Sequence, residues 1–218
     1  VHSSKYRFIF IHYPKTGGNT VQSVLLPFSD DQKVVEAHQD GVDRFEVKGP
    51  VTPEKHASLQ DYSDRLGDDF ADQLVLSACR HPFERIVSAY FSPHKWIVRA
   101  SDGSYVSEEP YWDEKRLETL LKIRYQRPLT EYLTTDKGFH KPDLLIRHEN
   151  YEETLRGATQ RLGIPLSAAE RIPRRNASAA TQDLKKRILS SKELRDRMES
   201  FYSVDMANFG YDSYPIPG

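Results

Sequence analysis

A single cysteine, Cys79, stands in 218 residues, which excludes an internal disulfide and a metal centre built from several thiolates. A lone free thiol suits a reducing compartment, so the expected location is cytoplasmic. No apolar stretch approaches the roughly 20 residues that a bilayer-crossing helix needs, and no membrane span is expected in this chain. Charge of one sign is not in excess either. There are 31 Lys and Arg against 32 Asp and Glu, whereas a general nucleic-acid binder carries a basic surplus. Repeats and low-complexity tracts are missing, as are the Walker pattern G-x-x-x-x-G-K-[ST] and the dinucleotide fingerprint G-x-G-x-x-G. No metal-ligand cluster stands out. The opening "VHSSKYR" lacks an initiator methionine and reads as a trimmed end.

What is present is a chain with 38% hydrophobic and 29% charged residues, expected to form one domain over residues 1–218. Arg7 to Tyr13 reads as a buried strand, because Phe8, Ile9, Phe10 and Ile11 run without alternation. Val21, Val24 and Leu25 then recur at helical spacing until Pro27. Val34 to Ala37 suggests a second, short strand, and Leu59 to Phe70 a helix. "QLVLSAC" is a strongly apolar strand. It runs straight into "RHPFERIVSAYF", where Phe83, Ile86, Val87, Tyr90 and Phe91 form one helical face. Residues 92–141 read as loops around one helix near Asp113 to Tyr125. Leu144 to Ile146 is strand-like, and Tyr151, Leu155, Ala158 and Leu162 form the next helical stripe. Two amphipathic segments, Leu184 to Leu189 and Leu194 to Met206, close the chain. Strands alternating with helices predict an α/β fold with a central parallel sheet and helices on both faces.

Two places carry chemistry. In "YPKTGGNT" a strand ends on Lys15 and Thr16, and Gly17, Gly18, Asn19 and Thr20 open a helix. A helix start offers unpaired N–H groups and the positive end of a dipole, and glycines let the backbone approach a ligand. The bland reading is an ordinary strand–helix turn with an incidental lysine. In "CRHPFERIVSAY", Arg80 stands at the carboxyl end of a strand, where open α/β sheets bind ligands, and Ser88 lies two turns into the next helix. Arg with a hydroxyl suits a phosphate. Alternatively Arg80 pairs with Glu84 and Ser88 is a small packing residue.

With both elements in this order, the chain resembles the sulfotransferases that use 3′-phosphoadenosine 5′-phosphosulfate (PAPS). "PKTGGNT" is similar to their 5′-phosphosulfate loop and "RHPFERIVSAYF" to their 3′-phosphate element. "LLIRHENYEETLRGATQRLGI", "RIPRRNAS" and "FYSVDMANFGY" are similar to the carbohydrate-acting branch, which includes the heparan 2-O-sulfotransferases and the Golgi carbohydrate sulfotransferases. The resemblance implies a P-loop NTPase-like sheet and a site laid out along it. Lys15, Thr16, Gly17, Gly18, Asn19 and Thr20 would hold the phosphosulfate, with Lys15 also acting in catalysis on the bridging oxygen. Arg80 and Ser88 would hold the 3′-phosphate, and the loop at Arg174 and Arg175 would close over the nucleotide. His56 in "EKHASLQDY" matches the position of the family's base, with His12 and His38 as other candidates. His81 stands where the family often has an acid.

The implied reaction moves the sulfuryl group from PAPS to a hydroxyl by in-line transfer, without a metal. A histidine takes the proton and Lys15 meets the charge on the departing oxygen. The expected acceptor is a carbohydrate or glycolipid, with residues 92–141 on the acceptor side. There Trp96, Tyr105, Tyr111, Trp112 and Tyr125 could stack on sugars, or simply pack. Two alternatives remain open: a Mg-dependent nucleotide kinase or NTPase of related fold, and a non-catalytic anion-binding module. Because such relatives include membrane-anchored lumenal enzymes, a lumenal domain is the alternative location.

Overall fold

The computed structural model describes residues 1–37, 39, 41, 45–102, 104–165 and 180–215. In chain order the elements begin with strands β1 (His2–Ser3) and β2 (Phe8–Ile11), helix α1 (Gly18–Leu25), strands β3 (Gln32–Val34) and β4 (Glu46–Lys48), and helix α2 (Leu59–Leu66). Strand β5 (Leu74–Cys79), helix α3 (Pro82–Tyr90), the hairpin β6 (Ile97–Arg99) and β7 (Tyr105–Ser107), and helices α4 (Glu114–Leu121) and α5 (Leu129–Tyr132) follow. A second hairpin, β8 (Thr134–Thr135) and β9 (Gly138–Phe139), leads to β10 (Leu144–Arg147) and α6 (Tyr151–Arg161). Helices α7 (Gln182–Leu189), α8 (Lys192–Phe201) and α9 (Ser203–Phe209) come last. The chain divides into two compact units, Val1–Arg80 with Pro128–Asn176, and His81–Arg127 with Ala177–Gly218.

The first unit is an α/β layer. Its sheet runs in the order β1-β2-β5-β10. Strands β2, β5 and β10 are parallel, and β1 joins the edge antiparallel through His2 opposite Ile9 and Ser3 opposite Phe8. The expected sheet is therefore parallel in its three longer strands and mixed at one edge. The opening residues supply that edge. Both faces of β2 and β5 are buried, which explains their unbroken apolar runs. Phe8, Phe10, Leu76, Ala78 and Ile146 on one face join Val21, Val24 and Leu25 of α1 and Leu155 and Ala158 of α6 in a single core. Ile9, Ile11, Val75, Ser77 and Cys79, pointing the other way, are equally buried. The strand expected at Val34 to Ala37 lies earlier, at β3, and pairs antiparallel with β4 in a separate ribbon. Gln32 and Lys33 are exposed there, so the segment buries too little to enter the main sheet.

In the second unit all five apolar residues of the α3 stripe are buried, packed with Trp96, Leu117, Met198 and Tyr202. Trp96 is only 1% exposed, its Nε1 donates to the Tyr90 carbonyl, and the Arg116 guanidinium lies over its ring. A tryptophan so enclosed packs the core rather than stacking on a sugar. Tyr105 and Tyr111 are exposed. The buried Arg85 guanidinium donates to Gln126 Oε1 at 3.0 Å and lies against the Tyr202 ring.

Candidate active site

Strand β2 ends at Ile11, and the chain turns through His12, Tyr13 and Pro14 into Lys15. Lys15 has φ 68 and Gly17 has φ 86, both in the left-handed region. That conformation is natural for glycine and costs a lysine about 1 kcal/mol or more. Gly17 is the N-cap of α1, so no side chain caps the first amides of the helix. Thr16 is buried and its hydroxyl donates to the Tyr13 carbonyl at 2.7 Å, which closes the turn. Asn19 is half-buried and Thr20 buried in the first turn of α1. The six residues singled out from the sequence are thus brought together at one helix start.

Two neighbours hold the glycines in place. The Tyr151 hydroxyl donates to the Gly17 carbonyl at 2.9 Å, and its ring covers Gly17 so closely that a Cβ would lie 2.8 Å from it. Burial pushes the Tyr151 phenol well above its usual range, so it stays a proton donor. A Cβ on Gly18 would overlap the His12 imidazole at Cδ2 and Nε2. Neither contact is visible in the local sequence. Tyr151 appears there only as part of a helical stripe.

Arg80 follows the last residue of β5 and is half-buried. Ile11 pairs with Ser77 in the parallel ladder, and Pro14 and Arg80 each lie three residues past that pair. The Lys15 turn and Arg80 therefore leave neighbouring strands at the same, carboxyl edge of the sheet. Ser88 lies on α3, in the second unit, and is half-buried. Glu84, the alternative partner for Arg80, accepts from the Tyr214 hydroxyl at 2.8 Å. Arg174, Arg175 and His38 lie outside the described residues.

His56 stands just before α2, whose start is fixed by a reciprocal capping box between Ser58 and Asp61. The preceding Lys55 is tethered through its Nζ to the Phe45 carbonyl at 2.9 Å. His56 itself is half-buried, with Nδ1 2.9 Å from the His12 carbonyl oxygen. A carbonyl only accepts, so Nδ1 carries the proton and the neutral ring keeps its lone pair on Nε2. That is the tautomer of a base whose working nitrogen is Nε2. The rings of His12 and His56 are 4.6 Å apart at a 45° tilt. Burial, and then the neighbouring His56 and Lys55, hold His12 well below the usual histidine range. His12 therefore stays neutral and is a poor choice for the base.

His81 has a structural task. Its Nδ1 accepts from the Phe83 amide at the start of α3, and its Nε2 donates to the Asp212 carbonyl at 3.0 Å. Glu149 is exposed at the turn before α6. In the second unit a groove of about 440 Å³ is lined by Glu118, Leu121, Lys122, Arg197, Met198, Ser200 and Phe201. Glu118, Leu121 and Lys122 in that lining belong to the segment 92–141 expected on the acceptor side, whereas none of the candidate catalytic or cofactor-binding residues is among them. No group of acidic, His or Cys side chains among the described residues has the arrangement of a metal site. No helix among them is long and apolar enough to cross a membrane.

The site has the donor set for a phosphate- or sulfate-sized anion: an uncapped helix start, two closely covered glycines and an ammonium on one turn. Among known proteins, a family model described as "Sulfotransferase family" matches residues 1–212. No curated protein and no solved structure matches the chain.

Proposed function

The chain belongs to the sulfotransferase family, and on that premise we propose that it moves the sulfuryl group of PAPS to a hydroxyl of a carbohydrate or glycolipid. The observation that carries the reading is the juxtaposition at the sheet edge. The Lys15 turn and Arg80 leave adjacent parallel strands on the same side, and His56 is held nearby on the His12 carbonyl in the tautomer of a base. The residues fit the nucleotide's two anionic ends. Lys15 and the first amides of α1 would hold the 5′ end, with Thr16, Asn19 and Thr20 as short polar neighbours. Arg80 would hold the 3′-phosphate, assisted in this proposal by Ser88 and the loop at Arg174 and Arg175.

When bound, the nucleotide supplies the sulfuryl group and the leaving oxygen. The chain's own residues supply the rest. Nε2 of His56 takes the proton of the acceptor hydroxyl, and its Nδ1–H stays on the His12 carbonyl, which keeps the ring from turning. Lys15 and the helix amides offset negative charge on the departing side, a task whose removal costs about 10²–10³ in rate for a single donor in comparable sites. The P-loop NTPase-like sheet and the carbohydrate-acting branch belong to the same proposal, supported by the three parallel strands and by the motifs shared with that branch.

Calorimetry tests this directly. The desulfonated product, 3′-phosphoadenosine 5′-phosphate, should bind without metal and outcompete ATP–Mg²⁺. Lys15→Ala and Arg80→Ala should each weaken it by at least tenfold. Tight ATP–Mg²⁺ binding with no response to the 3′-phosphate would replace this reading with a kinase or NTPase.

A further inference from the structure

His12 has no role in the transfer as described beyond its backbone carbonyl, yet its side chain occupies the space between the two working parts of the site. The imidazole is 4% exposed. One edge, Cδ2 and Nε2, lies against the bare Cα of Gly18 so closely that no other residue fits at position 18 without displacing the ring. One of its faces meets the His56 ring with centroids 4.6 Å apart. Phe10, on the core side of β2, stacks with it at 6.1 Å and 23°. Three contacts from three segments leave the ring little freedom. Any movement of His12 moves either the helix start or His56.

We propose that His12 is a positioning residue, a rigid spacer whose side chain sets the distance between the anion-binding turn and the nitrogen of His56. The proposal rests on the reading of His56 as the base. Its chemistry is simple: transfer requires the proton acceptor and the anion-holding amides at a fixed separation, and a misplacement of about 1 Å costs around 10²-fold in rate. The side chain does this without exchanging a proton. Its burial keeps it neutral, so it does not place a second charge beside His56. The same packing explains why glycine is needed at position 18, where φ is not in the left-handed region and backbone freedom alone does not demand it.

The test compares four full-length proteins: wild type, His12→Ala, Gly18→Ala and the double variant. Three readouts are taken: affinity for 3′-phosphoadenosine 5′-phosphate, kcat with labelled PAPS, and the imidazole ¹⁵N–¹H signal of His56. The alanine at position 12 should lower kcat by about 10- to 100-fold and leave nucleotide affinity within about twofold, because the turn keeps its shape while His56 loses its support. Gly18→Ala should lose at least tenfold in affinity, and the double variant should regain most of it while kcat stays low. His12→Asn, a shorter planar group, should show the same split at smaller size and carries the test if the alanine variant does not fold. In the wild type the Nδ1–H signal of His56 should exchange slowly, and in His12→Ala it should broaden or vanish. A merely structural role predicts instead that affinity, kcat and melting temperature fall together. That result, an unchanged kcat, or a double variant no better than Gly18→Ala would overturn the proposal. His56→Ala separates the two readings. If it transfers at the wild-type rate, His56 is not the base, and the imidazole signal alone then decides whether His12 fixes that ring.

Discussion

Lys15 shows at the level of one residue how function and stability part. Its left-handed φ of 68 is a conformation in which glycine is at ease and lysine is strained by about 1–3 kcal/mol. Replacing it with glycine relieves that strain but loosens the unfolded chain by a comparable amount. Lys15→Gly is therefore expected to keep stability within about 1 kcal/mol of wild type in urea denaturation while turnover falls by at least about 10²-fold. A large stability loss would mean that the ammonium braces the fold rather than serving the anion. The sequence made this turn legible because a lysine and two glycines follow one apolar run while Arg80 ends a second one, a pairing that an ordinary strand–helix turn does not require. It did not disclose that Lys15 is itself left-handed, that Tyr151 covers Gly17, or that His12 covers Gly18. Those facts depend on neighbours that the chain brings back from elsewhere. His56 was legible only through resemblance, since one histidine among eight carries no signal of its own; its tautomer needed the His12 carbonyl.

Among the elements, α1 and α6 do the most to position the turn, because both pack on the face formed by Phe8, Phe10, Leu76 and Ile146. Leu155 of α6 is 0% exposed in that core. Leu155→Ala should cost about 2–5 kcal/mol, read as a shift in the urea midpoint at unchanged slope. Because Tyr151 starts the same helix, nucleotide affinity should fall alongside stability in this variant, unlike in Lys15→Gly. The stripe of α6 and the strands β2, β5 and β10 were readable from hydrophobic period alone. Strand β1 was not. His2 and Ser3 are polar, only two residues long, and held by backbone pairing to β2. The tail of α2 also departs from the reading: Leu59 to Phe70 was expected as one helix, but α2 ends at Leu66, and Gly67 with φ 56 leads into a 3₁₀ turn.

At the scale of the whole molecule, the neutral core histidine has a consequence for pH. His12 is depressed in the folded state by burial, so the unfolded chain binds a proton near pH 6.5 that the folded chain refuses. Stability is therefore fully present above that pH and declines as pH falls through it. His12 alone should remove on the order of 1 kcal/mol between roughly pH 7.5 and pH 5.5. His2, also lowered by burial and opposed by Asp30, acts in the same direction. Urea denaturation across that range should show a shallower decline in His12→Ala, and an equal decline would mean the ring titrates freely. The alternation of elements announced an α/β fold. The two-unit division was not readable, because the segments that make the second unit, His81–Arg127 and Ala177–Gly218, are far apart along the chain.

The most direct measurement is transfer of label from radiolabelled PAPS to a panel of glycans by the wild type, Lys15→Ala and His56→Ala, at matched folded concentrations without added metal. A labelled acceptor is expected with the wild type, and rates lowered by at least about 10²-fold in both variants. Undiminished transfer by both variants would contradict the proposed mechanism.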